Sequence, residues 1–140
     1  MEIKYFPLTE VWKNDFEIKR KKAKELVENI TGKKIKSEVG DLEILQTVLD
    51  LNIINEKDVI TFQSFGVLFG DAIAKEINSE WCMISDEFGV DPTLKIFNKQ
   101  ANVNALTIIS KRIEEKREIN LFEIFQGVKE YLRTNKFAEG

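Results

Sequence analysis

Apolar residues recur at helical spacing through most of this chain and at alternating spacing in one short stretch. Phe16, Ala23, Leu26, Val27 and Ile30 share one face of a segment otherwise filled by Lys and Glu, which predicts a helix from near Asp15 to Ile30. Thr31-Gly32 stops it, because glycine accepts the left-handed conformation found just past helix ends. Leu42, Leu45, Val48 and Leu49 stripe a second helix, widened by Ile44 and Leu51, with the Asp41 carboxylate expected to cap its first turn. A third helix, from Asp58 to Ile77 or Asn78, is apolar on most sides and therefore belongs inside the fold. Along it Gly66, Gly70 and Ala74 repeat every fourth residue, a smooth ridge. Each glycine costs about 1 kcal/mol relative to alanine in a helix, so close packing against a neighbour is expected to offset it.

After Asn78 the period changes. Trp81, Met83 and Ser85 alternate with Cys82, Ile84 and Asp86, which reads as a strand with both faces partly covered. Gly89-Val90-Asp91-Pro92 has turn chemistry, and Thr93 to Asn98 reads as the returning strand. Lys99 to Asn104 is a polar loop or a short third strand. A fourth helix is expected from about Asn104 to Lys116, with Leu106, Ile109 and Ile113 inward. The last helix has the clearest start: Asn120 caps it, Glu123 completes the pair, and Leu121, Ile124, Phe125, Val128 and Leu132 form its inner face. Residues 1–12 carry no readable period, and Tyr5, Phe6 and Trp12 are expected to anchor them to the body. The sum is an α+β fold: about five helices packed around a central apolar helix and a small antiparallel sheet of two or three strands. We expect one domain over residues 1–140, helical across 1–78, with the hairpin and two further helices across 79–137.

With 140 residues, 43% of them hydrophobic, the chain can build a core without staples. Its one cysteine, Cys82, excludes an internal disulfide, fits a cytoplasmic setting, and reads as a small buried hydrophobe. The opening residues lack the apolar run of a secretory signal. The most apolar stretch, Val59 to Ala74, is shorter than the ~20 residues of a membrane span and is interrupted by Gln63, Ser64 and Asp71. A membrane is thus not an expected partner.

The net charge of -3 is unevenly spread: residues 1–40 carry +3, 41–100 carry -7 and 101–140 carry +1. The acidic middle argues against nucleic acid, which binds clustered cations. The basic run Lys19 to Lys24 reads as a solvated helix face, its charges fanned about 100° apart.

The chain has no histidine, which removes histidine-dependent nucleophile systems, histidine-ligated metals and imidazole proton transfer. A single cysteine builds no thiolate cluster, and neither phosphate-binding glycine loop nor dinucleotide fingerprint occurs. Neither cofactor nor metal site is expected. Carboxylates remain: Glu80, Asp86, Glu87 and Asp91 crowd the expected hairpin, a pattern that also fits a solvated sheet edge. Asp71 sits in the most apolar helix and needs solvent or a cation there; Lys75, four residues on, or Lys111 and Arg112 are the candidate partners. Trp81 reads as a core residue, or as a binding surface if exposed.

Phe65-Gly66 through Gly70-Asp71, then Trp81, the acidic-glycine turn Asp86 to Gly89, Lys111-Arg112 and the Glu115 to Leu121 connection resemble an uncharacterised, mainly bacterial family of small domains of unknown function. The resemblance spans residues 65–127 and implies the α+β fold of the second half, with no activity to transfer. From the residues themselves, the acidic middle and the missing catalytic groups favour an interaction protein, monomer or homodimer, that meets a protein with a basic surface. An immunity-type role against a basic toxin is one version of it. Its candidate surface is Asp71, Glu80, Trp81, Asp86, Glu87, Asp91, Lys111 and Arg112. The alternative is a carboxylate-dependent enzyme, with or without Mg²⁺, whose cleft includes Asp71, Glu80 and Glu87.

Overall fold

Thr9, an N-capping residue whose hydroxyl accepts from the Trp12 amide, starts the first helix earlier than its apolar period suggests: α1 runs Glu10–Thr31. Gly32 ends it at φ 71°, with its amide bonded to the Glu28 carbonyl. The computed structural model describes residues 2–134. In chain order the remaining helices are α2 (Asp41–Asp50), α3 (Val59–Ala74), α4 (Ala105–Glu114) and α5 (Leu121–Thr134). The expected reach of the last segment to residue 137 lies outside the described residues.

Four strands, β1 (Lys4–Pro7), β2 (Ser79–Asp86), β3 (Gly89–Ile96) and β4 (Asn102–Val103), form one antiparallel sheet in the order β1-β2-β3-β4. The sheet is thus larger than the two or three strands expected. The addition is β1, paired from Lys4 opposite Ser85 to Pro7 opposite Cys82. Four residues are too few for a legible alternation, and the partner strand is far off in sequence. The turn also lies earlier in the chain than expected. Asp86 pairs with Gly89, so Glu87-Phe88 is the two-residue loop, and Gly89, at φ 118°, begins β3. Pro92 lies inside β3 opposite Met83, before β4 takes up pairing at Leu94, so on its other side no strand needs its missing N–H.

Residue alternation divides the sheet. Trp81, Leu94, Ile96 and Val103 enter the main core beneath the helices. On the other face the Tyr5 hydroxyl crosses the strands to donate to Asn102 Oδ1 at 3.1 Å, with the Lys95 ammonium 5.1 Å from its ring centre.

α3 is the spine expected from its composition: 11 of its 16 residues are buried. Gly66 and Gly70 let α4 and Trp81 approach its backbone. Asp58 caps it, accepting from the amide and hydroxyl of Thr61 at 3.1 and 2.7 Å. These bonds, led by the hydroxyl, hold the Asp58 carboxyl below its usual range. A depressed folded-state pKa gives stability that is present above the unfolded value and lost as pH falls through the folded one. Asp58→Ala should therefore cost about 1 kcal/mol at neutral pH, and the gap to wild type should close in acid. Urea melts of both proteins across that pH range will show it.

Asp41 does not cap α2. It is the first helical residue, 1% exposed, and its carboxylate turns back to accept from the Lys36 and Glu38 amides at 3.0 and 3.2 Å. That ties down the loop entering the helix. Asn120 does cap α5, accepting from the Glu123 amide at 3.1 Å. Gln46 of α2 completes the junction: its amide nitrogen donates to Ile119 O at 2.9 Å and its oxygen accepts from Leu121 N at 2.8 Å. Among the described residues no helix is long and apolar enough to cross a membrane.

Candidate functional site

Seven of the eight residues singled out from the sequence occupy three separate places, and Glu80 stands apart from all of them. Asp71 and Trp81 lie together inside the fold. The Arg20 fork donates to Asp71 through Nε at 2.7 Å and Nη2 at 2.9 Å, and the Trp81 indole N–H donates to Asp71 Oδ1 at 2.9 Å. The cation is thus Arg20 of α1, in place of Lys75, Lys111 or Arg112. Phe16 closes the cluster, edge-on to Trp81 with ring centres 4.8 Å apart. Hydrogen bonding to Asp71 is the main cause that raises the Arg20 pKa, against an opposing effect of burial. This arrangement joins α1, α3 and β2, and its polar atoms are satisfied internally. The basic run also departs from a solvated face. Lys19 is 5% exposed and bonds to Asp15 at 2.5 Å, while Lys21 and Lys22 do face water.

Glu80 neighbours Trp81 in β2 and so projects from the opposite face of the sheet, where it pairs in register with Lys95. Cys82 shares that face, is 6% exposed, and has its thiol pKa raised by burial first and by the charge of Glu80 second. It stays a protonated, packed thiol at neutral pH. Glu87 stands at the hairpin loop, exposed. Asp71, Glu80 and Glu87 therefore do not share a cleft. Among the described residues no group of three acids, cysteines or histidines is placed to hold a metal ion.

The second place is the hairpin tip. Asp86 accepts from the Phe88 amide at 2.9 Å, fixing the loop. Asp91 pairs with Ile84, which puts Asp86 and Asp91 on the same face of adjacent strands. Phe88, absent from the sequence-derived surface, is 84% exposed at the apex. On the other face near this end, Val90 and Phe6 are 52% and 38% exposed. None of Asp86, Glu87 and Asp91 makes an ion pair among the described residues. The tip thus presents an aromatic side chain between an acidic and an apolar flank. Nothing in the local sequence marks Phe88 as exposed: a strand continuing through it would put it on the face of Cys82 and Ile84, both of which are buried.

Lys111 and Arg112 form the third place, at the end of α4 beside Arg117.

A family model described as a domain of unknown function (DUF3806) matches residues 41–125. The match begins well before the 65–127 stretch that carried the resemblance, because α2 offers only an apolar stripe and no distinctive residue. No curated protein sequence matches. A crystal structure from Bacteroides thetaiotaomicron VPI-5482 superimposes with a TM-score of 0.82 at 17% identity, over 94% of this chain and 48% of that one. This likeness supports the α+β fold, and the chain spans about half the length of that neighbour.

Proposed function

We propose, from the premise that this chain belongs to the DUF3806 family of domains of unknown function, that it binds another protein through the tip of its β2–β3 hairpin. The observation that carries this reading is Phe88, 84% exposed in a loop where Asp86, Glu87 and Asp91 make no ion pair among the described residues. A buried phenylalanine removes some 150–250 Å² from water, so leaving one at an apex forgoes stabilisation that a partner's pocket would supply. Asp86, Glu87 and Asp91 select a partner whose pocket has a basic rim, and they accelerate the encounter. Part of the acidic middle segment is consumed by the fold, since Asp41, Asp58 and Asp71 hold loops and helices; the hairpin carboxylates remain available. A cationic toxin met in the cytoplasm, with this chain as its immunity-type partner, is the specific version of the reading.

Phe88→Ala is expected to leave stability within about 0.5 kcal/mol of wild type, because the ring touches little of its own fold. Loss of an interface anchor of this kind costs about 2 kcal/mol of affinity or more. Native lysate passed over wild-type and Phe88→Ala baits, in low and high salt, should yield a salt-sensitive protein held by the first and lost from the second. If both baits retain the same proteins, the hairpin tip is not the docking element.

A further inference from the structure

Arg112 sits in the last turn of α4, half-buried, and among the described residues its guanidinium donates only to its own helix, to Ile108 O at 3.2 Å. It makes no ion pair with a carboxylate among the described residues. Burial, then the adjacent charge of Arg117, lowers its pKa against an opposing pull from Glu115. Glu115 is itself engaged by Arg117 at 3.2 Å. Lys111 adds an exposed cation, and the three basic side chains line a hollow of about 350 Å³ in which Glu115 is the lining carboxylate. Positive charge here exceeds what the fold neutralises.

Arg112, Arg117 and Ile108 also line a larger groove between α4 and α5, about 570 Å³, with Val103, Ile124 and Val128 on its walls. Gly127 borders it, and nothing lies within 4 Å of where its side chain would begin. The groove therefore joins a basic end to an apolar bed, at a volume that suits a small molecule. Glu118 and Glu123 line it too, which disfavours a second negative charge on the occupant.

We propose that this groove binds a small amphipathic monocarboxylate, its head between Arg112 and Arg117 and its aliphatic body along Ile108, Ile124 and Val128. Planar guanidinium forks match a carboxylate's two oxygens; Arg112 is half-buried and already desolvated in part, while Arg117 holds only an exposed contact to Glu115 that a ligand carboxylate can replace. The site is independent of the hairpin and stands whether or not the hairpin docks a protein.

Octanoate, acetate and octylammonium should be titrated against the whole protein, reading methyl NMR shifts and melting temperature. Octanoate should shift the Ile108, Ile124 and Val128 methyl resonances and raise the melting temperature, since it binds the native state. Acetate should bind at least about tenfold more weakly, lacking the apolar body. Arg117→Gln, at an exposed position that leaves the core intact, should weaken octanoate about tenfold; Arg112→Gln should do the same if it folds. No methyl shift at millimolar octanoate overturns the site. So does acetate or octylammonium binding as tightly as octanoate, or Arg117→Gln binding like wild type.

Discussion

Gly66→Ala should lower folding stability by about 2 kcal/mol or more, even though alanine is the better helix former by about 1 kcal/mol. A methyl group there would lie 2.3 Å from the Leu106 carbonyl oxygen, 2.6 Å from that of Ala105 and 2.9 Å from the Leu106 carbonyl carbon. All three are backbone atoms of the first turn of α4, and no side-chain rotation relieves them. The helices must separate, loosening the contact that α3 makes through its most buried face. Overpacking typically costs about 1–3 kcal/mol, and rigid backbone places this site at or above the top of that range. Gly70→Ala meets the Trp81 ring at 2.2 Å, and the indole is held by Asp71, so it should also destabilise and change tryptophan fluorescence. Gly127→Ala in α5 meets nothing within 4 Å and should stabilise by about 0.5–1 kcal/mol. Urea midpoints at constant slope report all three. A Gly66→Ala protein as stable as wild type would show that α3 and α4 do not touch at this ridge.

Arg20→Met should cost about 2–3 kcal/mol. It leaves Asp71 among Phe16, Trp81 and α3 with the indole N–H as its remaining donor. Breaking a fully buried ion pair costs about 3–5 kcal/mol. The figure is lower here because the Arg20 side chain is 22% exposed and that of Asp71 11%, so water partly screens both. Asp71→Leu alone strands Arg20 and the indole, while the double variant removes both charges and should recover part of the loss. A double-mutant cycle isolates that coupling. Arg20 has a raised folded-state pKa, so its contribution is complete below the unfolded arginine value and fades only as pH rises through the folded one. The Arg20→Met deficit should therefore stay constant from neutral to mildly alkaline pH. A deficit that shrinks over that window would mean another group carries the interaction.

The Asp71 cluster also shows what the residues alone could reveal of a site. A carboxylate after Gly70 in the most apolar helix had to meet a cation, and that need was legible. Its identity was not: Arg20 is 51 positions away and belongs to a run that reads as solvated surface. Glu80 and Glu87 read as neighbours of Asp71 by proximity in sequence. Strand alternation sends Glu80 to the far face, and the loop carries Glu87 to the apex. The exposure of Phe88 is hidden in the sequence for a related reason. Glycine and proline mark a turn at Gly89 to Pro92, although Asp86 and Gly89 close it three residues earlier.

What the chain determines by itself is the kind and order of its longer elements. Spacings of 3.6 and 2 residues report which side of a local segment must leave water, and caps such as Asp58 and Asn120 act within one turn. Tertiary structure decided the rest: that residues 4–7 complete the sheet, that Gln46 closes the α5 junction 75 positions away, and that Arg20 meets Asp71. These pairings depend on how faces meet after folding, and no local period encodes a partner that distant.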